Sequence, residues 1–364
     1  MNEALLHLQQ SLTAGGLDAI LVTDPKHVYY LTGFASNPHE RFLGLLLIRG
    51  EEPALIVPAL DAEAANAASS VKTILTHSDT DNPYELLKAR FDGKTPGVFG
   101  LEKEHFTVSR FEQLSASVTA GSFRDIGPLL RAMRAIKTPE EIRRMKHAAE
   151  LVEEVLRQGL SHVKAGATEN DLVAELDYLM KKVGASGPSF DTMVLTGINT
   201  SLPHGVPGNT KVQPGDLLMF DLGVFAGGYA SDITRTFAVE EVDGKLVDIY
   251  NTVLAANQAG IAASVAGATF GSVDQAARAV IDAAGYGEYF VHRVGHGLGM
   301  DCHEYPSLHG LNQDLVEIGN VYTIEPGIYV PGLGGVRIED DVYITPEGPQ
   351  TLTVFPKELT VLHL

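Results

Sequence analysis

One cysteine, Cys302, stands among the 364 residues, so no disulfide can form within the chain. That scarcity fits a reducing compartment. Positive charge is also scarce: 27 Lys and Arg face 46 Asp and Glu, a formal balance of −19. Phosphate backbones and anionic lipid repel such a chain, so nucleic acid and membrane surfaces are poor partners for it. No stretch approaches the about 18 consecutive apolar residues of a membrane-spanning helix. Residues 1–12 lack a basic segment and an unbroken apolar run; they carry Glu3 and alternate Leu with polar residues. A signal peptide is therefore not expected, and the cytoplasm is the expected location.

What is present is ordinary globular material, 45% hydrophobic and 20% charged, in a chain long enough for two domains. The first third alternates helical and strand-like patterns. Leucines at helical spacing run from Glu3 to Ala14 and stop at Gly15-Gly16. Strands are expected at Ala19–Val22, Leu43–Ile48, Ala54–Val57 and Gly97–Leu101, and helices at Asp61–Ser69 and Pro83–Phe91. This predicts a smaller α/β domain over 1–134 and a second domain over 135–364. Thr138-Pro139-Glu140-Glu141 has the N-cap, first-turn proline and returning carboxylate of a capping box, opening a helix to about Leu160. Helices are expected over 168–183, about 246–265 and 272–284, segregated from Gly-rich strands, which argues for an α+β fold.

Three segments carry chemistry. In the first, the strand-like run Leu217–Phe225, the turn Gly227-Gly228 and the return strand Tyr229–Val239 place Asp221 and Asp232 opposite or diagonal on one face. Two such carboxylates call for a cation or a shared proton. The second runs from His292 through Arg293 and His296 to His303-Glu304, three histidines within twelve residues interleaved with glycine. Imidazole is the commonest metal ligand and the usual proton handler near neutral pH. The spacing of Gly297-Leu298-Gly299 is not that of a dinucleotide-binding loop. In the third, strands expected at Val321–Ile324 and Gly335–Ile344 flank the turn Pro331-Gly332-Leu333-Gly334. Glu325 and Glu339 then face each other across a hairpin, and Arg337 shares the face of Glu339.

Four carboxylates in one pocket do not all stay ionised without compensating charge, and two divalent cations offset four negative charges. Oxygen and nitrogen donors suit manganese, zinc or cobalt, and no thiolate singles out zinc. Two metals at about 3.5–4 Å bridge a hydroxide, polarise a carbonyl and lower the pKa of water from 15.7 to roughly 7.

With these motifs the chain resembles the pita-bread metallopeptidases, the family of methionine aminopeptidase, aminopeptidase P, prolidase and creatinase. The resemblance implies a C-terminal pita-bread domain with Asp221, Asp232, His296, Glu325 and Glu339 as ligands of two divalent ions per subunit, manganese expected and zinc or cobalt as alternatives. It implies that Asp232 and Glu339 bridge the metals, with Asp221 on one and His296 and Glu325 on the other. All five are present, unlike in creatinase or in metal-free relatives that only bind partners. Cys302 stands where the family usually has Ile or Val.

The accompanying residues look like those of the proline-specific branch. His292 and Arg337 go with the ligands there, and His204 in Pro203-His204-Gly205 matches the upstream catalytic histidine. By resemblance, Glu325 handles the proton of the attacking hydroxide, His204 and His303 stabilise the intermediate or the leaving nitrogen, and Arg337 holds the bridging carboxylates. Pro38-His39-Glu40-Arg41 resembles a loop of bacterial prolidases that reaches the active site of the partner subunit, implying a homodimer with substrate contacts from His39 and Arg41. Asn37 stands where Asp usually precedes that loop. Arg293 suits a dipeptide's carboxylate, which arginine binds with paired hydrogen bonds. The expected activity is hydrolysis of Xaa-Pro dipeptides. Aminopeptidase P activity on longer peptides with proline second, and a non-catalytic metal- or partner-binding role, are the alternatives.

Overall fold

The computed structural model describes residues 2–364, and the chain divides into two compact units after Met133. The first unit is built on a six-stranded sheet in the order Thr73–His77, Ala54–Pro58, Gly44–Ile48, Ala19–Val22, Val98–Leu101, Ser122–Asp125. Gly44–Ile48 is antiparallel to both its neighbours; the other pairs are parallel. Alternate residues of Ala19–Val22 enter different cores. Ile20 and Val22 pack with Leu5, Leu8 and Leu12, while Ala19 and Leu21 pack with Tyr84 and Leu87. Burial on both faces is why that strand is apolar throughout.

The sequence pattern does not mark the two edge strands, Thr73–His77 and Ser122–Asp125. Edge strands bury little, and Ser122–Asp125 alternates exposed with half-buried residues. Three helices lie outside the elements expected from the sequence: Pro25–Thr32, Val108–Ser117 and Gly127–Ala135. The first is set by its ends, with Asp24 accepting from the Lys26 and His27 amides and Gly33 closing in the left-handed region.

In the second unit the capping box at Thr138 and Glu141 forms and opens the helix Pro139–Leu160. A second capping box, Thr168 with Asp171, opens Glu169–Lys182. These two helices bury Val152, Leu156, Leu172 and Leu176 against Leu218 and Phe220 of the strand Leu217–Leu222. The helices Gly244–Ala263 and Phe270–Ala283 bury Val253 and Val273 against Tyr322, Ile324 and Val342 of a five-stranded sheet. Helices and strands are segregated, as an α+β fold requires. Among the described residues no helix is long and apolar enough to cross a membrane.

Both acidic hairpins differ from the continuous strands expected. The first is broken into Leu217–Leu222 and Val224–Ala226 on one side, and Tyr229–Ala230 and Ile233–Val239 on the other. The second is broken into Val321–Ile324 and Gly327–Val330, then Gly334–Arg337 and Asp340–Thr345. Within each, the inner and outer pairs belong to different sheets. Pro326 has no N–H for a ladder, which helps end the strand before it. Asp232, Glu325 and Glu339 all fall at these breaks, where the backbone bends and re-aims a side chain that a regular ladder would alternate into a packed face.

Candidate active site

A cleft of about 750 Å³ in the second unit is lined by Asp221, Asp232, His296, Glu325 and Glu339 together with His204, His292, Arg293, His303 and Arg337. Every candidate residue of that unit is thus brought to one place. His39 and Arg41 belong to the first unit and are not among the lining residues. His39 has φ 55°, and Arg41 pairs with Asp79 through Nε at 2.7 Å and Nη2 at 3.2 Å. The Asn37 side chain accepts from the His39 amide at 3.3 Å.

Strand pairing places Thr234 opposite Asp221, so Asp232 is diagonal to Asp221 on the same face. Asp232 is buried; its Oδ2 accepts from the Cys302 thiol at 3.2 Å and its Oδ1 has no hydrogen-bond partner. Glu339 is equally buried. Its Oε2 accepts from the Thr234 hydroxyl at 2.6 Å, and its Oε1 has no partner.

His296 lies at an irregularity in the strand Gly295–Gly297. A Cβ at 295 would collide with the Thr323 carbonyl, and one at 297 with that of Tyr305, so the flanking glycines let neighbouring backbone close around the imidazole. His296 Nδ1 faces the Gly297 carbonyl at 3.1 Å. A carbonyl only accepts, so Nδ1 carries the proton and Nε2 keeps its lone pair. Nε2 points at Glu325 Oε1 at 3.4 Å and Asp232 Oδ2 at 3.8 Å. Burial, reinforced by His303, lowers the His296 pKa to about 3, so the ring is neutral.

Arg337 organises the opposite wall. It is buried and donates to Asp221 Oδ2 through Nη2, to Thr234 Oγ1 through Nε at 3.2 Å and to the Tyr329 hydroxyl through Nη1 at 2.8 Å. Tyr329 in turn lies 2.9 Å from His292 Nε2, whose ring partner Nδ1 faces the Arg293 carbonyl at 2.8 Å. The carbonyl fixes the proton on Nδ1, so Tyr329 donates to Nε2. Both nitrogens of His292 are therefore engaged, and burial lowers its pKa to about 4. The His303 ring stacks on His296 with centroids 3.7 Å apart. Arg293 bonds Ser307 Oγ at 2.9 Å and approaches His303 Nδ1 at 3.4 Å.

The charge balance of this pocket is unfavourable as it stands. Burial, then the neighbouring Asp221, raises the Asp232 carboxyl well above its usual range; burial, then Asp232, does the same to Glu339. Burial lifts Glu325 to about 7, with Asp221 adding to the rise and Arg337 opposing it. The two guanidinium groups of the cleft, Arg293 and Arg337, do not neutralise four carboxylates. Ligand atoms of Asp232, His296 and Glu339 lie within 4.8 Å of one another. The orphaned oxygens of Asp232 and Glu339, with the free lone pair of His296, fit divalent cations.

The family model for metallopeptidase family M24 matches residues 143–346, and the creatinase/prolidase N-terminal domain matches residues 5–136. The chain belongs to metallopeptidase family M24. Its second unit is the family's pita-bread domain. YkvY of Bacillus subtilis (strain 168) is 43% identical, the match covering 96% of this chain and 97% of that one. The structure of the Xaa-Pro dipeptidase from Bacillus anthracis superposes with TM-score 0.93, 34% identity and 99% of both chains covered. The X-Pro aminopeptidase from Thermotoga maritima superposes with TM-score 0.88 and 30% identity, covering 97% of this chain and 99% of its own.

Thr234 and Tyr329 complete this M24 site without a motif of their own. Thr234 is two residues from Asp232 and opposite Asp221, a position that strand register alone could have flagged. Tyr329 shares the broken hairpin with Glu325, but its link to His292 depends on a turn of the backbone that no local pattern encodes.

Proposed function

We propose that the chain is a two-metal Xaa-Pro dipeptidase. The observation that carries this reading is the convergence, in one cleft, of the five cage residues with His204, His303, Arg293 and Arg337. The proline-peptidase structure with which the chain superposes over 99% of its length supports it. Asp221, Asp232, His296, Glu325 and Glu339 would hold the metals, manganese being expected and zinc or cobalt the alternatives. Bound there, the metals supply Lewis acidity toward the carbonyl before proline and a nucleophile near neutral pH.

The chain's own residues do the rest. Glu325, lining the cleft beside His296, would take the proton of the attacking water, the role that the resemblance assigns to it. His303 is kept neutral, its pKa lowered by burial and by Arg293, and the approach of Arg293 to Nδ1 leaves Nε2–H to donate to the developing oxyanion or the leaving nitrogen. His204, exposed on the cleft rim, shares that task. Arg293, propped by Ser307, takes the proline carboxylate. Arg337 holds Asp221 and, through Thr234, Glu339; His292 acts on Arg337 through Tyr329. The loop bearing His39 and Arg41 is proposed to reach a partner's cleft in a homodimer. With Arg41 held by Asp79, His39 is the side chain it offers. A cytoplasmic setting suits the single buried thiol.

The reading is tested by stripping the protein with a chelator and assaying Ala-Pro hydrolysis before and after addition of manganese, cobalt or zinc. Activity lost on stripping and restored by metal supports it. Hydrolysis that survives complete removal of metal contradicts it, and failure to cleave any Xaa-Pro peptide after reloading favours a non-catalytic relative.

A further inference from the structure

Asn257 lies inside the helix Gly244–Ala263 and has no exposed surface. Its Nδ2 donates to the Ile324 carbonyl at 2.9 Å and to the Ile338 carbonyl at 3.3 Å. Its Oδ1 accepts from Lys357 Nζ at 3.0 Å. An ammonium only donates, so the amide is oriented with oxygen toward Lys357 and nitrogen toward the two carbonyls. Lys357 is itself held by Asp340 Oδ2 at 2.7 Å, and Asp340 pairs with buried Arg235 at 2.8 Å.

The two carbonyls belong to the residues immediately before Glu325 and Glu339. Ile324 pairs with Asp340 in one sheet, whereas Gly327 pairs with Arg337 in another. At the break the backbone turns away from the hairpin: the Glu325 amide donates to Val294 at 2.8 Å and the Glu339 amide to Thr234 at 3.1 Å. Buried carbonyls beside such a break need other donors. A carboxamide supplies two hydrogens from one atom; a hydroxyl supplies one, and a carboxylate none. The helix comes close enough because residue 260, one turn further on, is glycine; a Cβ there would sit 2.9 Å from Ile324 Cγ2.

We infer that Asn257 is a positioning residue for the metal cage: it clamps the two strand breaks that carry Glu325 and Glu339 and sets the spacing of those ligands. This rests on the reading of Glu325 and Glu339 as ligands given above. Asn257 touches neither substrate nor metal. It acts on the backbone one residue away from each ligand, and Lys357 keeps it in the donating orientation.

The test uses the full-length protein with Asn257→Leu, close in volume but without donors, and Asn257→Asp, equal in shape but presenting an acceptor to both carbonyls. Far-UV circular dichroism and the thermal midpoint establish folding. Manganese binding to stripped protein is measured by calorimetry, and the visible spectrum of the cobalt-loaded protein reports ligand geometry. Outer partners of metal ligands typically contribute about 10–100-fold in affinity. Both variants are expected to lose manganese affinity on that scale and to shift the cobalt spectrum. With metal saturating, kcat for Ala-Pro falls more than KM rises. A folded Asn257→Leu protein with wild-type manganese affinity and an unchanged cobalt spectrum overturns the inference. Should the leucine variant not fold, Asn257→Ser, which keeps one donor, decides: an intermediate loss of affinity supports the clamp, and wild-type affinity overturns it. The binding measurements need no substrate. A wild-type protein that cleaves Ala-Pro while its Asn257 variants bind metal normally therefore removes the clamp and leaves the dipeptidase reading standing.

Discussion

The Thr234 hydroxyl donates to Glu339 Oε2 at 2.6 Å while accepting from Arg337 Nε at 3.2 Å, so one threonine couples the Glu339 carboxylate to the guanidinium that also holds Asp221. Thr234→Val removes that coupling with little change in shape. It leaves Arg337 Nε and a Glu339 oxygen unpaired, at a cost of about 1–3 kcal/mol in stability. Manganese affinity is expected to fall by about 10–100-fold, as for other supports of metal ligands. Thermal unfolding and calorimetry check the two effects separately.

Arg337→Lys is not a conservative change here. The guanidinium serves Asp221, Thr234 and Tyr329 from three separate nitrogens, a fork that an ammonium on a flexible stem does not reproduce. The variant is expected to lose most of its activity, and Arg337→Met to lose about 3–5 kcal/mol of stability by leaving the charge of Asp221 without its cation. Denaturant melts and Ala-Pro kinetics at saturating manganese measure these outcomes.

How far the site could be read without coordinates depends on the range of the interaction. Asp221 and Asp232 are legible because a Gly-Gly turn fixes their register, and the capping box at Thr138 because its partners are three residues apart. The breaks in both hairpins are not legible: Leu217–Phe225 reads as one strand, and its division at Gly223 depends on two sheets meeting there. Edge strands such as Thr73–His77 bury too little to leave an apolar signature. Asn257 looks like any helical residue until Ile324 and Ile338, 67 and 81 residues away, are brought beneath it.

Glu304 gives the stability a pH dependence. Burial alone would raise its pKa, but Lys137 at 2.8 Å and Arg134 hold it below the ordinary 4.5. A carboxyl lowered in the folded state contributes stability above its unfolded value and loses it as pH falls through the folded one. Glu304→Gln is therefore expected to cost about 3–5 kcal/mol at neutral pH, because buried Lys137 loses the carboxylate it pairs with and Arg134 keeps Asp301 but loses Glu304. The difference from wild type should shrink as the pH drops below 4.5. Urea melts at pH 7 and at successively lower pH check it.

Asp232→Ala removes the carboxylate whose Oδ1 has no partner in the protein. Metal binding should weaken and Ala-Pro turnover fall to background. The deletion also relieves repulsion with Asp221 and Glu339, so the metal-free variant is expected to melt no lower than metal-free wild type. Paired melting curves with and without manganese test this directly.

The most direct measurement is the comparison of kcat/KM for Ala-Pro and Ala-Pro-Ala with the manganese-loaded protein. In the tripeptide the proline carboxylate is gone and Arg293 has nothing to grip. A hydrogen bond to a charged group is worth about 1.5–3 kcal/mol, so Ala-Pro should be preferred by about 10-fold or more. Efficient cleavage of Ala-Pro-Ala with little or none of Ala-Pro would contradict the dipeptidase account and identify the site as that of an aminopeptidase.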